Sequence, residues 1–189
     1  MSYYFAIVGT KDNPLFEHEF GTSKQGGDGI ARFREEARHM NQFIVHSSLD
    51  IVEEVQWGSG QMYLKHIDRF YNNYISCFLT GGNIKFLLLH NPDPSAPNTH
   101  ASLSSQPNPP SASTSRLSTA SLGASSRTNN SSVASNPTSP AAEEAVRQFM
   151  VEIYDAWVKN LMNPFYGLNA PVKSPVFRAR VAAAAKKYL

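Results

Sequence analysis

The sequence predicts an α+β domain, a five-stranded sheet carrying helices on both faces, in the order β-β-α-β-β-β-α-α. Three observations lead there. Two short segments are apolar on both alternating sides, three segments repeat apolar residues at helical spacing, and one long stretch lacks aromatic residues and nearly all charge.

The doubly apolar segments are 3–9, where Tyr3, Phe5 and Ile7 alternate with Tyr4, Ala6 and Val8, and 84–89, where Ile84, Phe86 and Leu88 oppose Leu87 and Leu89. Strands of that kind belong in the middle of a sheet covered on both sides. Residues 15–20 set Phe16 and Phe20 against Glu17 and Glu19, as an edge strand does, after a turn signal at Asp12-Asn13-Pro14. Residues 62–67 and 70–80 supply two more strands, and Gly81-Gly82-Asn83 turns the chain into the last one.

The first helix is predicted from Phe33, Ala37, Met40, Ile44, Ser48, Ile51 and Val55, one continuous buried stripe. The second follows from Ala142, Ala145, Val146, Phe149, Ile153, Trp157 and Leu161, with Ser139 as N-cap, Pro140 in the first position and Asn163-Pro164 as the stop. Ser174-Pro175 repeats the start signal for a last helix that turns Phe177, Val181, Ala185 and Tyr188 inward. Lys186 and Lys187 suit its C-terminal dipole.

Between 91 and 141 only Asp93, Arg116 and Arg127 are charged, and Ser, Pro, Asn, Thr and Ala dominate. Too little apolar surface is present there to offset the entropy of ordering the backbone. The expected organisation is one domain made of 1–90 and 142–189, with 91–141 as a disordered Ser/Pro-rich insertion. Closure entropy grows only logarithmically with loop length, so one domain tolerates such an insert.

With 17 Lys and Arg against 15 Asp and Glu, the net charge of +2 argues against nucleic acid as a partner. A lone cysteine, Cys77, precludes an internal disulfide framework and reads as a buried, inert thiol between Ile75 and Leu79. No stretch reaches the roughly 20 apolar residues of a membrane span, and the first residues read as a strand rather than a signal peptide. A soluble, intracellular protein without direct membrane insertion is expected.

The search for chemistry yields no catalytic, cofactor or metal candidates. The six histidines show no ligand spacing beyond isolated pairs such as His39 and His46, and Gly26-Gly27-Asp28-Gly29 lacks the lysine of a phosphate loop. No enzyme and no cofactor are expected. More informative is the outer side of the first helix, where Phe43, His46, Asp50, Glu53, Glu54 and Trp57 fall away from the buried stripe. Exposed aromatic residues flanking an acid are unusual on a purely solvated face, and aromatic residues are enriched at interfaces. The alternative is that Phe43 and Trp57 wrap around the sheet edge and Asp50 is simply solvated. Phe165 and Tyr166 are expected to form an apolar clamp closing the end of the second helix.

Several segments resemble the sedlin family. They are Phe5-Ala6-Ile7-Val8-Gly9 with Asp12-Asn13-Pro14; Asn41-Gln42-Phe43-Ile44 followed by His46 and Leu49-Asp50; Met62-Tyr63-Leu64-Lys65; and Met162-Asn163-Pro164-Phe165-Tyr166. The long insertion and the Gly-rich loop 21–29 depart from that pattern. The resemblance implies a longin-like (profilin-like) fold, with a mainly antiparallel sheet, one helix on one face and two on the other. It further implies a non-catalytic adaptor in a TRAPP-type tethering complex acting between endoplasmic reticulum and Golgi. Its partners would be other TRAPP subunits and, indirectly, a Rab-type GTPase and vesicle membranes, and its location cytoplasmic, peripheral to those organelles. Combined with the residues themselves, it makes Phe43, His46, Asp50, Glu53 and Trp57 the expected partner-binding set. The competing reading is another longin-domain trafficking protein, of the coat-adaptor or SNARE-regulatory type.

Overall fold

The computed structural model describes residues 1–23, 27–92 and 138–189, with the side chains of Glu36 and Ala37 excepted. The segment expected to be a disordered insertion lies almost wholly outside the described residues.

Five strands form one sheet: β1 (Ser2–Val8), β2 (Pro14–Gly21), β3 (Tyr63–Phe70), β4 (Asn73–Leu79) and β5 (Lys85–Asn91). Their spatial order is β2-β1-β5-β4-β3, and every neighbouring pair is antiparallel. The doubly apolar segments are thus central: β1 is buried along its whole length, and β5 everywhere but Asn91. Ile7 pairs with Phe86 and Ser2 with Asn91, which sets the register between them.

Alternation along these two strands feeds two cores. Tyr3, Phe5, Ile7, Phe86 and Leu88 point to one face, where they meet Phe149, Ile153, Trp157, Phe177 and Val181. Tyr4, Ala6, Val8, Leu87 and Leu89 point to the other, against Ile44, Val45, Leu49 and Val52. The first core belongs to α3 (Pro140–Leu161) and α4 (Pro175–Tyr188). Both helices start as the sequence foretells. The Ser139 and Ser174 hydroxyls accept from the backbone N–H groups of Ala142 and Phe177, and each helix carries proline in its first turn.

The second core belongs to what the sequence predicts as a single helix and the structure divides into α1 (Glu35–Ser47) and α2 (Leu49–Val55). At the division Ser47 Oγ donates to the Ile44 carbonyl (2.8 Å) and Ser48 Oγ to that of Val45 (2.7 Å). Across the division the Ser48 N–H still donates to the Ile44 carbonyl at 3.3 Å and the Val52 N–H to that of Ser48 at 3.1 Å. The buried stripe is rotated from the predicted one: Asn41, Ile44, Val45, Ser48, Leu49 and Val52 are buried, while Met40, Ile51 and Val55 are only partly so.

One strand boundary also moves. The predicted strand 70–80 begins only at Asn73, because Tyr71 takes a left-handed backbone (φ 52°) and turns the chain from β3 into β4. The exposed edge strand β3 carries two register shifts and a left-handed Lys65 (φ 62°), irregularities that hinder pairing with another strand.

Candidate partner-binding face

The spacing of Phe43, His46, Asp50 and Glu53 is three, four, three, which sets them along one side of α1 and α2, and Trp57 follows in the turn after α2. All five are exposed, Phe43 by 63% and Trp57 by 86%, while their neighbours Ile44, Val45, Leu49 and Val52 hold the opposite side on the sheet. The expectation that Phe43 and Trp57 stand clear of the core therefore matches the geometry, and the wrap-around alternative does not. Asp50 lies in the first turn of α2, and from residue 39 to residue 64 the chain has three acids and no Lys or Arg. The face is acidic with an aromatic at each end.

The aromatic pair after α3 behaves differently from expectation. Tyr166 does clamp: its ring meets Trp157 edge-on at 6.0 Å and its hydroxyl donates to the Ala170 carbonyl (2.6 Å). Phe165 does not, being 95% exposed. Leu161, predicted to face inward, is also exposed, as are Met162, Leu168 and Val176. Sequence reasoning missed this apolar surface because the residues come from a helix end, a turn and the next helix start, with no shared period.

The turn carrying them is fixed. Asn169 accepts from the Thr10 N–H (3.0 Å) and, through its carbonyl, from Asn13 Nδ2 (3.1 Å). A Cβ at Gly9 would lie 2.5 Å from Asn169 Oδ1 and 2.7 Å from Asn13 Oδ1, so a side chain there would push both amides aside.

A second feature the sequence did not announce is a polar cleft of about 600 Å³ beside β2, lined by Tyr4, Glu17, His18, Glu19, Arg38 and Arg178 among others. Its charges are internally matched. The Tyr4 hydroxyl donates to Glu17, and Arg38 pairs with Glu19 at 2.9 Å. Burial and the bond to Glu17 raise the Tyr4 hydroxyl well above its ordinary value, and burial with the nearby Arg178 lowers His18.

Cys77 is fully buried and pushed up to about 12 by that burial, the environment of an unreactive thiol. Among the described residues no group of three or more His, Cys, Asp or Glu side chains could hold a metal ion, and no helix is long and apolar enough to cross a membrane.

Comparison with known proteins places this geometry in context. The chain is 34% identical over its whole length to the transport protein particle 20 kDa subunit of Schizosaccharomyces pombe, and covers all of that protein. It is 31% identical to the probable trafficking protein particle complex subunit 2 of Drosophila melanogaster, covering 97% of it, and 29% identical to the trafficking protein particle complex subunit 20 of Saccharomyces cerevisiae, covering 99%. These relatives are named as subunits of a trafficking or transport protein particle, and the sheet with its flanking helices is the longin-like α+β fold. Residues 7–187 match the family model described as Sedlin, and the chain belongs to the Sedlin family.

Proposed function

We propose that this protein is a non-catalytic adaptor subunit of a TRAPP-type tethering complex, joining core to peripheral subunits in transport between endoplasmic reticulum and Golgi. Its place would be cytoplasmic, peripheral to those membranes. A Rab-type GTPase and vesicle membranes would be reached through the assembly, not by this chain alone. The observation that carries the reading is the α1–α2 face: four exposed residues at helical spacing and exposed Trp57 in the turn that follows, with Phe43 and Trp57 on either side of Asp50 in a stretch without Lys or Arg. Exposed aromatic residues contribute large buried areas on docking, and an acid between them supplies register and selectivity.

The test is recovery of partner subunits with tagged protein gently purified from its own cytosol. Asp50→Tyr inverts the chemistry at the centre of the face without touching the core, since Asp50 is exposed. Partner recovery is expected to fall by about tenfold or more, with an unchanged melting temperature. Full recovery by a folded Asp50→Tyr protein would remove this face from the interface.

A further inference from the structure

The side of the sheet opposite α1–α2 carries a second surface of contrary charge. Residues 156–189 include Lys159, Lys173, Arg178, Arg180, Lys186 and Lys187 and no acid. Where α3 ends and α4 begins, a groove of about 210 Å³ runs between the helices, with Lys159, Asn160, Asn163, Val176 and Arg180 among its lining residues. Its polar chemistry is rich in donors. Lys159 and Arg180 can only donate, and the buried Asn160 Nδ2 has no hydrogen-bond partner. Met162 and Phe165 flank Asn163 in the chain, and both are strongly exposed, as is Val176 on the groove itself. Exposed apolar residues beside unpaired donors mark a docking site.

We propose that this groove docks an extended or helical segment of another protein subunit, one that presents an apolar anchor flanked by Asp or Glu. The inference rests on the subunit role proposed above and gives it a second face, as a bridge requires. A carboxylate entering the groove would meet Lys159, Arg180 and the Asn160 amide together, while the apolar anchor covers Phe165 and Met162. A second copy of this chain could offer its acidic α2. That contact would be heterologous and would build a ring or filament of identical chains, whereas the subunit role proposed above calls for a different chain as the occupant. A concave groove lined with directional donors also fits a peptide carboxylate better than a flat anionic lipid surface.

The experiment uses the full chain in the intact particle. The photo-crosslinking residue p-benzoylphenylalanine replaces Phe165 in one preparation and Trp57 in another, and the crosslinked peptides are identified by mass spectrometry. Phe165 is expected to crosslink to another subunit, at an apolar stretch with Asp or Glu within a few residues. In the Lys159→Glu/Arg180→Glu double variant that crosslink should fall by about tenfold or more, while the Trp57 crosslink persists. Crosslinks to lipid, to a second copy, to a segment without acids, or none at 165 while 57 still reacts would each overturn the proposal. If the protein elutes alone and neither position reacts, the subunit role itself fails and this docking face falls with it.

Discussion

Phe86 sits where β5 crosses the middle of the α3–α4 core. It is fully buried, stacked on Phe78 (5.8 Å between centroids) and edge-on to Phe5 (6.2 Å) and Trp157 (6.1 Å). Replacing it with serine removes all three ring contacts and leaves a hydroxyl in an apolar site. Phe86→Ser should therefore destabilise the fold by about 3–5 kcal/mol, lowering the melting temperature by roughly 10 °C or more in a calorimetric scan. Its burial was legible from sequence because strand alternation has a strict period and its neighbours on both sides are apolar. The exposure of Phe43 and Trp57 was less legible, because helical spacing alone left open that both wrap around the sheet edge and the predicted stripe held neither Leu49 nor Val52. Phe165 offered no such handle. An aromatic residue after Asn-Pro has no period to orient it, and only the backbone of the turn decides that Tyr166 reaches Trp157 while Phe165 does not.

Helix starts were the most readable elements, because an N-cap serine followed by proline states both the missing acceptor and the missing donor of a helix start. Ser174 shows what this contributes. Its hydroxyl accepts from the Phe177 N–H at 3.3 Å, at the point where α4 must place Phe177 against Phe16 and Trp157. Ser174→Ala should destabilise by about 1 kcal/mol in urea titration, and Ser174→Asp should restore most of it. The division of the first helix at Ser48 was less readable. Ser47 and Ser48 are tolerated in unbroken helices, and nothing in their spacing signals that their hydroxyls bond back to the carbonyls of Ile44 and Val45. The turn between β3 and β4 escaped notice for want of glycine or proline. Tyr71 adopts the left-handed backbone that a turn signal would assign to glycine.

For the molecule as a whole, burial of His90 links stability to pH. Its ring stacks on Tyr3 at 4.6 Å, and desolvation, with a smaller contribution from the chain's N-terminal charge, lowers it from 6.5 to about 4. Between those values the unfolded chain takes up a proton that the folded one refuses, so stability rises with pH through that window and falls as pH drops towards 4. The contribution is up to about 3 kcal/mol. His18 and His66, both also lowered mainly by burial, act in the same direction. Urea midpoints measured from pH 7 to pH 4 should decline, and His90→Phe, which keeps the stack and removes the titration, should shrink that decline.

The two central strands are one wall with a room on either side. Phe86 furnishes one room and its neighbour Leu87 the other, so neither helix layer can come loose without exposing the backs of residues that hold its opposite number. On the subunit role proposed above, a lesion deep in β5 and a lesion on the surface of α2 would look alike in a cell, each as an assembly defect. They part company in the amount of protein left. The wall variant would be thinned out by quality control before it meets a partner, whereas the surface variant would accumulate normally and fail only on contact. Steady-state abundance, read beside assembly, tells a damaged scaffold from a damaged handshake.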